Sequence, residues 1–341
     1  MLHKNNPKIL FIGSFLSASR GSKGPTEHIA SQLETLGFKT TLASRYSNIF
    51  LRLLDIVIKS LFFKGTIVCI DVYSGNAFRI AELAAAIAKL KGHKIVLNLH
   101  GGRLPEFLQQ HNSRVRKLFY KADEILSPSL FLINVFKTNN LNVSYLPNPI
   151  QLNNFKFNRS KITPYSILWV RAFDKIYNPN IPPNILAIVK QKYPQASLTM
   201  VGPDCGELNH VKSIVNKLGL SGCVTFAGPV PNNQLFEYYQ THAVFLNTTS
   251  YESFGVSLME AASCGIPIVS NNVGEISLIW EDKKNIMLVN ENNINDHANA
   301  VLSLFSSSSM ADNLAIEASL NTKKFNQNEI IKKWISLFTD M

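Results

Sequence analysis

The chain has only four cysteines among 341 residues, none in a Cys-x2-Cys pair or at ligand spacing from a histidine. Cys69, Cys205, Cys223 and Cys264 therefore read as scattered small hydrophobes of a reducing compartment, with neither a disulfide frame nor a zinc site. Long hydrophobic runs are missing too. No run of about 18 uncharged apolar residues occurs, so no membrane-spanning helix is expected. The apolar run at residues 9–13 follows Lys4 and Lys8 but is too short for a secretory signal. It leads into a glycine- and serine-containing loop and reads as a first strand. Asp-x-Asp, an acidic pair that holds a divalent cation, is absent throughout. So are His-Glu-x-x-His and a Walker A sequence, and Gly13-Ser14-Phe15-Leu16 does not form a dinucleotide fingerprint. Neither a metal nor a cofactor is expected.

What is present suits two domains of about 150 residues each, and 46% hydrophobic residues are enough for two cores. The net charge of +11 is unevenly placed. Residues 1–150 hold 19 Lys and Arg against 8 Asp and Glu, whereas residues 151–341 hold 15 of each. All the excess belongs to the first half, which argues for an acidic or membrane-bound partner met by that half alone. No nucleic-acid recognition motif accompanies it, so nucleic acid is not expected.

Hydrophobic patterning alternates strand and helix twice over. Strands are predicted at 9–13, 68–72, 95–99, 124–127 and 143–146, with helices at 26–36 and 82–90. After Asn148-Pro149 and an aperiodic stretch at 155–164, read as an interdomain linker, the pattern restarts. Strands at 166–170, 197–201, 224–227, 243–247 and 266–270 alternate with helices at 183–192, 207–218, 232–239 and 255–264. The expected fold is α/β: two Rossmann-like, doubly wound parallel-sheet domains facing a central cleft. A last helical pattern, 328–338, carries Ile331, Trp334, Ile335 and Phe338 on one face. Ser306–Ser309 reads as a helix boundary.

The most informative local feature is a pair of glutamates with seven residues between them, Glu252 and Glu260. The first follows a predicted strand in a loop, and the second lies inside the next helix. Backbone N–H groups around Ser253, Phe254, Gly255 and Val256 would point outward from that helix start and form an anion site. Carboxylates beside an anion site repel phosphate but accept hydrogen bonds from sugar or ribose hydroxyls. A nucleotide-sugar combines a diphosphate with two sets of hydroxyls. The bland alternative is an exposed helix with an acidic residue near its positive end.

The stretch from Ala243 to Val289 resembles the donor-binding region of the retaining glycosyltransferases of family 4, which have the GT-B fold. The resemblance rests on Glu252, Phe254, Gly255, Glu260, Ala261, Cys264, Gly265, Pro267, Val269, Asn272, Val273 and Gly274. It implies that Glu260 binds donor ribose hydroxyls and Glu252 the sugar or the nearby phosphate loop. It also makes Arg171 and Lys175, directly after a predicted strand, the basic pair that neutralises the leaving diphosphate without a metal. His100, at the end of strand 95–99, is implied near the donor sugar. Gly13 and Gly24, with Gly21 and Ser22, are implied near the donor phosphate and acceptor. Gly202 and Val230, at two strand ends, are implied to line the nucleotide pocket through backbone groups, and Asn148 to shape a hinge turn. The implied catalytic set is thus His100, Arg171, Lys175 and Glu252. The donor-binding set is Gly13, Gly24, Gly202, Val230, Ser253, Phe254, Gly255, Val256 and Glu260. In similar enzymes the last helix packs back on the first domain, giving domains at 1–150, with 326–341, and 151–325. Val170, Glu275 and Thr249-Ser250-Tyr251 depart from the family pattern and leave the donor sugar open, and glycines are missing near Lys283 and Ile286.

The expected activity is metal-independent, retaining transfer of a sugar from a nucleotide-diphosphate donor to a glycan or lipid-linked acceptor in cell-surface polysaccharide synthesis. The same fold also serves nucleotide-sugar epimerases, and a silent glycan- or nucleotide-binding subunit is a third reading. A monomer or weak dimer is expected, cytoplasmic or peripheral on the inner face of the cytoplasmic membrane. Residues 49–63 are unusually apolar for a surface helix, with Arg52, Asp55 and Lys59 on one stripe. At 113–122, Arg114, Lys117 and Lys121 share a face opposite Val115, Leu118, Phe119 and Ala122. Two readings stand side by side: docking on an anionic membrane, or a buried helix beside an ordinary solvated one.

Overall fold

The computed structural model describes residues 6–15, 24–252, 254–291 and 293–341 and divides into two compact units. One comprises Met1–Pro149 with Phe325–Met341, and the other Ile150–Lys324. The first unit is built on β1 (Lys8–Ile12), β2 (Lys39–Ala43), β3 (Ile67–Val72), β4 (Lys94–Leu99), β5 (Glu124–Ser127) and β6 (Ser144–Tyr145). They form one sheet in the order β2-β1-β3-β4-β5-β6, parallel throughout. The central strands are apolar on both faces because helices cover both, as parallel sheets require. On one face Leu10, Val68 and Leu97 pack with Phe78, Ala84 and Ala88 of the Asn76–Leu90 helix. On the other, Phe11 and Cys69 pack with Ile330, Ile331, Trp334 and Phe338 of the C-terminal Gln327–Asp340 helix. The first core is therefore closed by residues far away in sequence.

The second unit has β7 (Ser166–Val170), β8 (Ser197–Val201), β9 (Val224–Gly228), β10 (Val244–Asn247), β11 (Ile268–Asn271) and β12 (Met287–Val289). Their order is β12-β11-β10-β7-β8-β9, again all parallel. Each sheet reverses its direction of growth once, between β1 and β3 and between β7 and β10. Crevices at the carboxyl ends of such strand pairs are where doubly wound sheets bind ligands. Ser307 ends the Ile294–Ser306 helix and caps the Ser308–Thr322 helix through its side chain, so the serine run is a helix boundary as expected. The stretch 155–164 carries no helix or strand, yet it is no free linker. Phe155 is buried against Tyr239, ring centroids 6.0 Å apart, and the half-exposed Phe157 rests on Gly265, so aromatic contacts anchor the segment against the entropy of a loose chain.

Residues 49–63 form the Ile49–Phe62 helix, and it is not buried. Its only buried residues are Ile56 and Ser60. The charged stripe turns toward β2. Arg52 Nε donates to Ser44 Oγ (2.9 Å), Asp55 accepts from the Ser44 amide (2.7 Å), and Lys59 donates to the Leu42 carbonyl (2.8 Å). No helix among the described residues is long and apolar enough to cross a membrane.

Candidate active site

In the second unit the reversal between β7 and β10 places two loops side by side. Arg171 is the first residue after β7, and Glu252 lies in the loop after β10. The Arg171 guanidinium Nη2 is paired with Glu252 Oε2, and both side chains are about one-seventh exposed. The guanidinium also lies over the Tyr177 ring, 5.3 Å from its centroid. Arg171 Nε is buried and has no hydrogen-bond partner among the described residues.

The loop that carries Glu252 is held by side-chain amides. Asn271 Nδ2 donates to the Thr248 and Thr249 carbonyls (2.9 and 2.8 Å), and Asn178 Nδ2 to the Thr248 carbonyl and Ser250 Oγ (3.0 and 2.7 Å). Trp169 Nε1 donates to Thr248 Oγ1 (3.0 Å). Gly274, at φ 58°, runs against the same loop: a Cβ there would lie 1.9 Å from the Glu252 carbonyl oxygen, so only glycine fits. Gly202, after β8, approaches the other arm equally closely, its would-be Cβ 1.8 Å from the Arg171 carbonyl oxygen.

Gly255, in the left-handed region, precedes the Val256–Cys264 helix, whose start turns Val256 half to solvent. Ser257 Oγ in that first turn is buried without a partner among the described residues. A helix start, an arginine held by a glutamate, and unmet donors suit an anion.

Glu260 is buried in the same helix. Its Oε1 accepts from Asn232 Nδ2 (2.7 Å) and its Oε2 from the Tyr239 hydroxyl (3.2 Å). Burial pushes its carboxyl above the usual range, while the bonds from Asn232 and Tyr239 and the charge of Arg171 pull it down. Burial, then the Glu260 charge, pushes the Tyr239 hydroxyl well up, so it stays a donor. Both Glu260 oxygens already serve the protein, and a ribose hydroxyl would use their remaining lone pairs. Val230 sits two residues before Asn232, in the turn leading away from β9. Lys175 stands apart from the pair. Its side chain is 88% exposed, and its Nζ is 3.8 Å from Glu207.

In the first unit the reversal between β1 and β3 opens a cavity of about 330 Å³, lined by Gly13, Ser14, Arg52, Asp71 and Tyr73 over an apolar floor. Asp71 organises it. Its Oδ1 accepts from Thr26 Oγ1 (2.8 Å) and Asn98 Nδ2 (3.3 Å) and lies 3.1 Å from His100 Nε2. Asn98 Nδ2 is also 2.7 Å from that ring nitrogen, and the His100 ring stacks on Tyr73 at 5.4 Å. Gly13 leaves room for this carboxylate, since a Cβ there would fall 2.3 Å from Asp71 Oδ2. Gly24 precedes the Pro25–Thr35 helix that carries Thr26.

The structure thus brings together Arg171, Glu252 and Gly202; Glu260 and Val230, through Asn232; and His100 and Gly13, through Asp71. Ser253, Gly21 and Ser22 lie outside the described residues. Asp71, Asn98, Asn232 and Tyr239 escaped the sequence reading. For the first two a signal was there: a carboxylate in Val68-Cys69-Ile70-Asp71-Val72 and an amide in Ile95-Val96-Leu97-Asn98-Leu99, each inside an apolar strand.

Residues 151–320 match the family described as glycosyl transferases group 1. A D-inositol 3-phosphate glycosyltransferase of Corynebacterium jeikeium (strain K411) is 27% identical over 139 residues, 39% of this chain and 33% of that relative. The chain therefore spans about a third of that relative's length. Among solved structures, the sucrose-phosphate synthase of Thermosynechococcus elongatus superposes with a TM-score of 0.73 at 15% identity, covering 98% of each chain. Anabaena Alr3699/HepE, crystallised with UDP, gives 0.72 at 17% identity, covering 98% of this chain and all of that one. The second unit thus resembles the glycosyl transferases group 1 over residues 151–320, and the chain has the GT-B fold.

Proposed function

We propose that the protein transfers a sugar from a nucleoside diphosphate donor to a hydroxyl of a glycan or lipid-linked acceptor in the cytoplasm, retaining the configuration at the anomeric carbon. The observation that carries this reading is Arg171. It stands at the sheet reversal, is paired with Glu252 of the loop that leads into the Val256–Cys264 helix, and has a buried Nε without a partner among the described residues. A diphosphate supplies the anion such a site lacks.

In the reaction the bond between the anomeric carbon and the diphosphate oxygen breaks. A bond from the acceptor oxygen to that carbon forms on the same face. The acceptor proton passes to a leaving phosphate oxygen, and the nucleoside diphosphate departs. Arg171 offsets the negative charge that grows on the leaving group, and the exposed Lys175 reaches the same phosphates from the neighbouring turn. Glu252 holds Arg171 in place before the donor arrives and then faces the sugar hydroxyls. Glu260 accepts from the ribose, with Asn232 and Tyr239 fixing its orientation. His100, oriented by Asp71 and Asn98, offers its ring to a sugar hydroxyl at the carboxyl end of the first unit's sheet. A role in cell-surface polysaccharide synthesis suits a lipid-linked acceptor.

UDP is the nucleotide to test first, since Anabaena Alr3699/HepE was crystallised with it. Isothermal titration with UDP, ADP and GDP is expected to give saturable binding of at least one, weakened about 10- to 100-fold in Arg171→Ala through loss of charge-assisted hydrogen bonds. Binding of none of the three by the folded wild type would reject the reading.

A further inference from the structure

The Ile49–Phe62 helix is inside out by the ordinary rule of surface helices. Its charged residues are tied down toward β2, and its large apolar ones face outward. Phe50 is 77% exposed and Phe62 76%, with Leu51, Leu54, Ile58 and Leu61 between 44% and 56%. At the 100° per residue of an α-helix these six fall within roughly 120° of arc, so they form one continuous ridge. Nothing among the described residues covers it. Beside the ridge's carboxyl end lies a groove of about 390 Å³, lined by Ile58, Phe62 and Phe63 together with Lys8, Lys39 and Lys64. All three lysines are exposed, and none is in an ion pair among the described residues. The half of the sequence that carries this surface holds the entire excess of positive charge.

We propose that this ridge lies in the plane of an anionic lipid bilayer. Phe50, Leu54, Ile58, Leu61 and Phe62 enter the acyl boundary, and Lys8, Lys39 and Lys64 bind phosphate headgroups. Two observations select a membrane over the other occupants. The three lysines beside the ridge have no ion-pair partner among the described residues, and phosphate headgroups supply the counter-charge that the same apolar ridge of a second copy does not. The helix is 14 residues long, too short to span a bilayer but well suited to lie in its interface. The basic stretch 113–122, helical only as far as Phe119, does not supply the attraction as a unit. Arg114 Nε is bonded to Glu82 Oε1 (3.1 Å), and its guanidinium is stacked 5.7 Å from the Phe78 centroid.

The test is flotation of the full chain with phosphatidylcholine vesicles and with phosphatidylcholine–phosphatidylglycerol vesicles, without nucleotide. Wild type is expected to bind only the anionic vesicles and to be released by salt, since the charges are exposed. Phe50→Ser/Leu54→Ser/Phe62→Ser is expected to weaken binding at least 100-fold with an unchanged melting temperature. Lys39→Glu/Lys64→Glu, which keeps the ridge, is expected to lose about fivefold or more per lysine. Lys117→Glu/Lys121→Glu is expected to stay within about threefold of wild type. Should the serine variant misfold, the lysine variant alone decides. Three outcomes overturn the proposal: no binding of wild type to anionic vesicles, equal binding by the lysine variant, or a dimer in light scattering that the serine variant dissociates while vesicles stay unbound.

Discussion

Replacing Arg171 by alanine tests the site through stability before any substrate is known. The side chain is about 85% buried, and so is its partner Glu252, so the substitution leaves a carboxylate largely cut off from water. Removing one member of a buried pair is worth about 3–5 kcal/mol, and the residual exposure here places the pair near 3. Loss of the stacking on Tyr177 adds about 0.5–1 kcal/mol. At roughly 2–4 °C per kcal/mol for a unit of this size, the second unit's calorimetric transition should fall by about 7–16 °C. Glu252→Gln, which removes the charge and keeps the shape, should be milder. The double variant should then be more stable than the sum of the two singles predicts, because it no longer strands a charge. Additivity within about 0.5 kcal/mol would show that the two residues do not act as a pair and would undo the account of how Arg171 is held.

Three further outcomes follow from the same geometry. Burial raises the Glu260 carboxyl, so its favourable contribution is complete below the unfolded value near 4.3 and is lost as pH rises through the folded one. Glu260→Gln should therefore gain stability relative to wild type between pH 4 and pH 7 while binding nucleotide more weakly; a greater relative loss at pH 7 in thermal melts would contradict this. Lys175→Ala should lower kcat by 10-fold or more and raise donor Kd by less than threefold, because the exposed cation proposed to face the leaving group acts on charge that appears only as the bond breaks; the reverse split in steady-state and titration data would remove Lys175 from the reaction. EDTA should leave turnover unchanged, since side-chain cations and a helix start serve the diphosphate; full loss restored by a divalent cation would overturn that assignment.

Much of this was readable from the chain because both sheets are parallel and buried. The strands at Val68, Ile95, Ser166 and Ser197 are runs of apolar residues between helical patterns, and their periodicity survives folding with shifts of only a residue. β2 was not legible. Lys39-Thr40-Thr41-Leu42-Ala43 is an edge strand with a polar outer side, so it carries no buried run. That omission left the Ile49–Phe62 helix unresolved, because its charged residues find their partners at Ser44 and Leu42, beside that strand. The site divided in the same way. Arg171 and Glu252 were accessible through local context, the first directly after β7 and the second in the loop that follows β10. Asn232 and Tyr239 reach Glu260 only through the packing of the Leu235–Thr241 helix on the Val256–Cys264 helix, and no local pattern announces that.

The central claim is transfer of a sugar to a second molecule, and acceptor-dependent release of nucleoside diphosphate measures it most directly. Nucleotide-sugars that bind in titration should be incubated with a panel of glycan and polyprenyl-phosphate-linked acceptors. The released nucleotide is quantified and the products are identified by mass. The account predicts release that rises with one class of acceptor, a product heavier than that acceptor by one sugar, and loss of both in Arg171→Ala. Isomerised sugar formed from donor alone, or tight donor binding with no turnover against any acceptor, would contradict it.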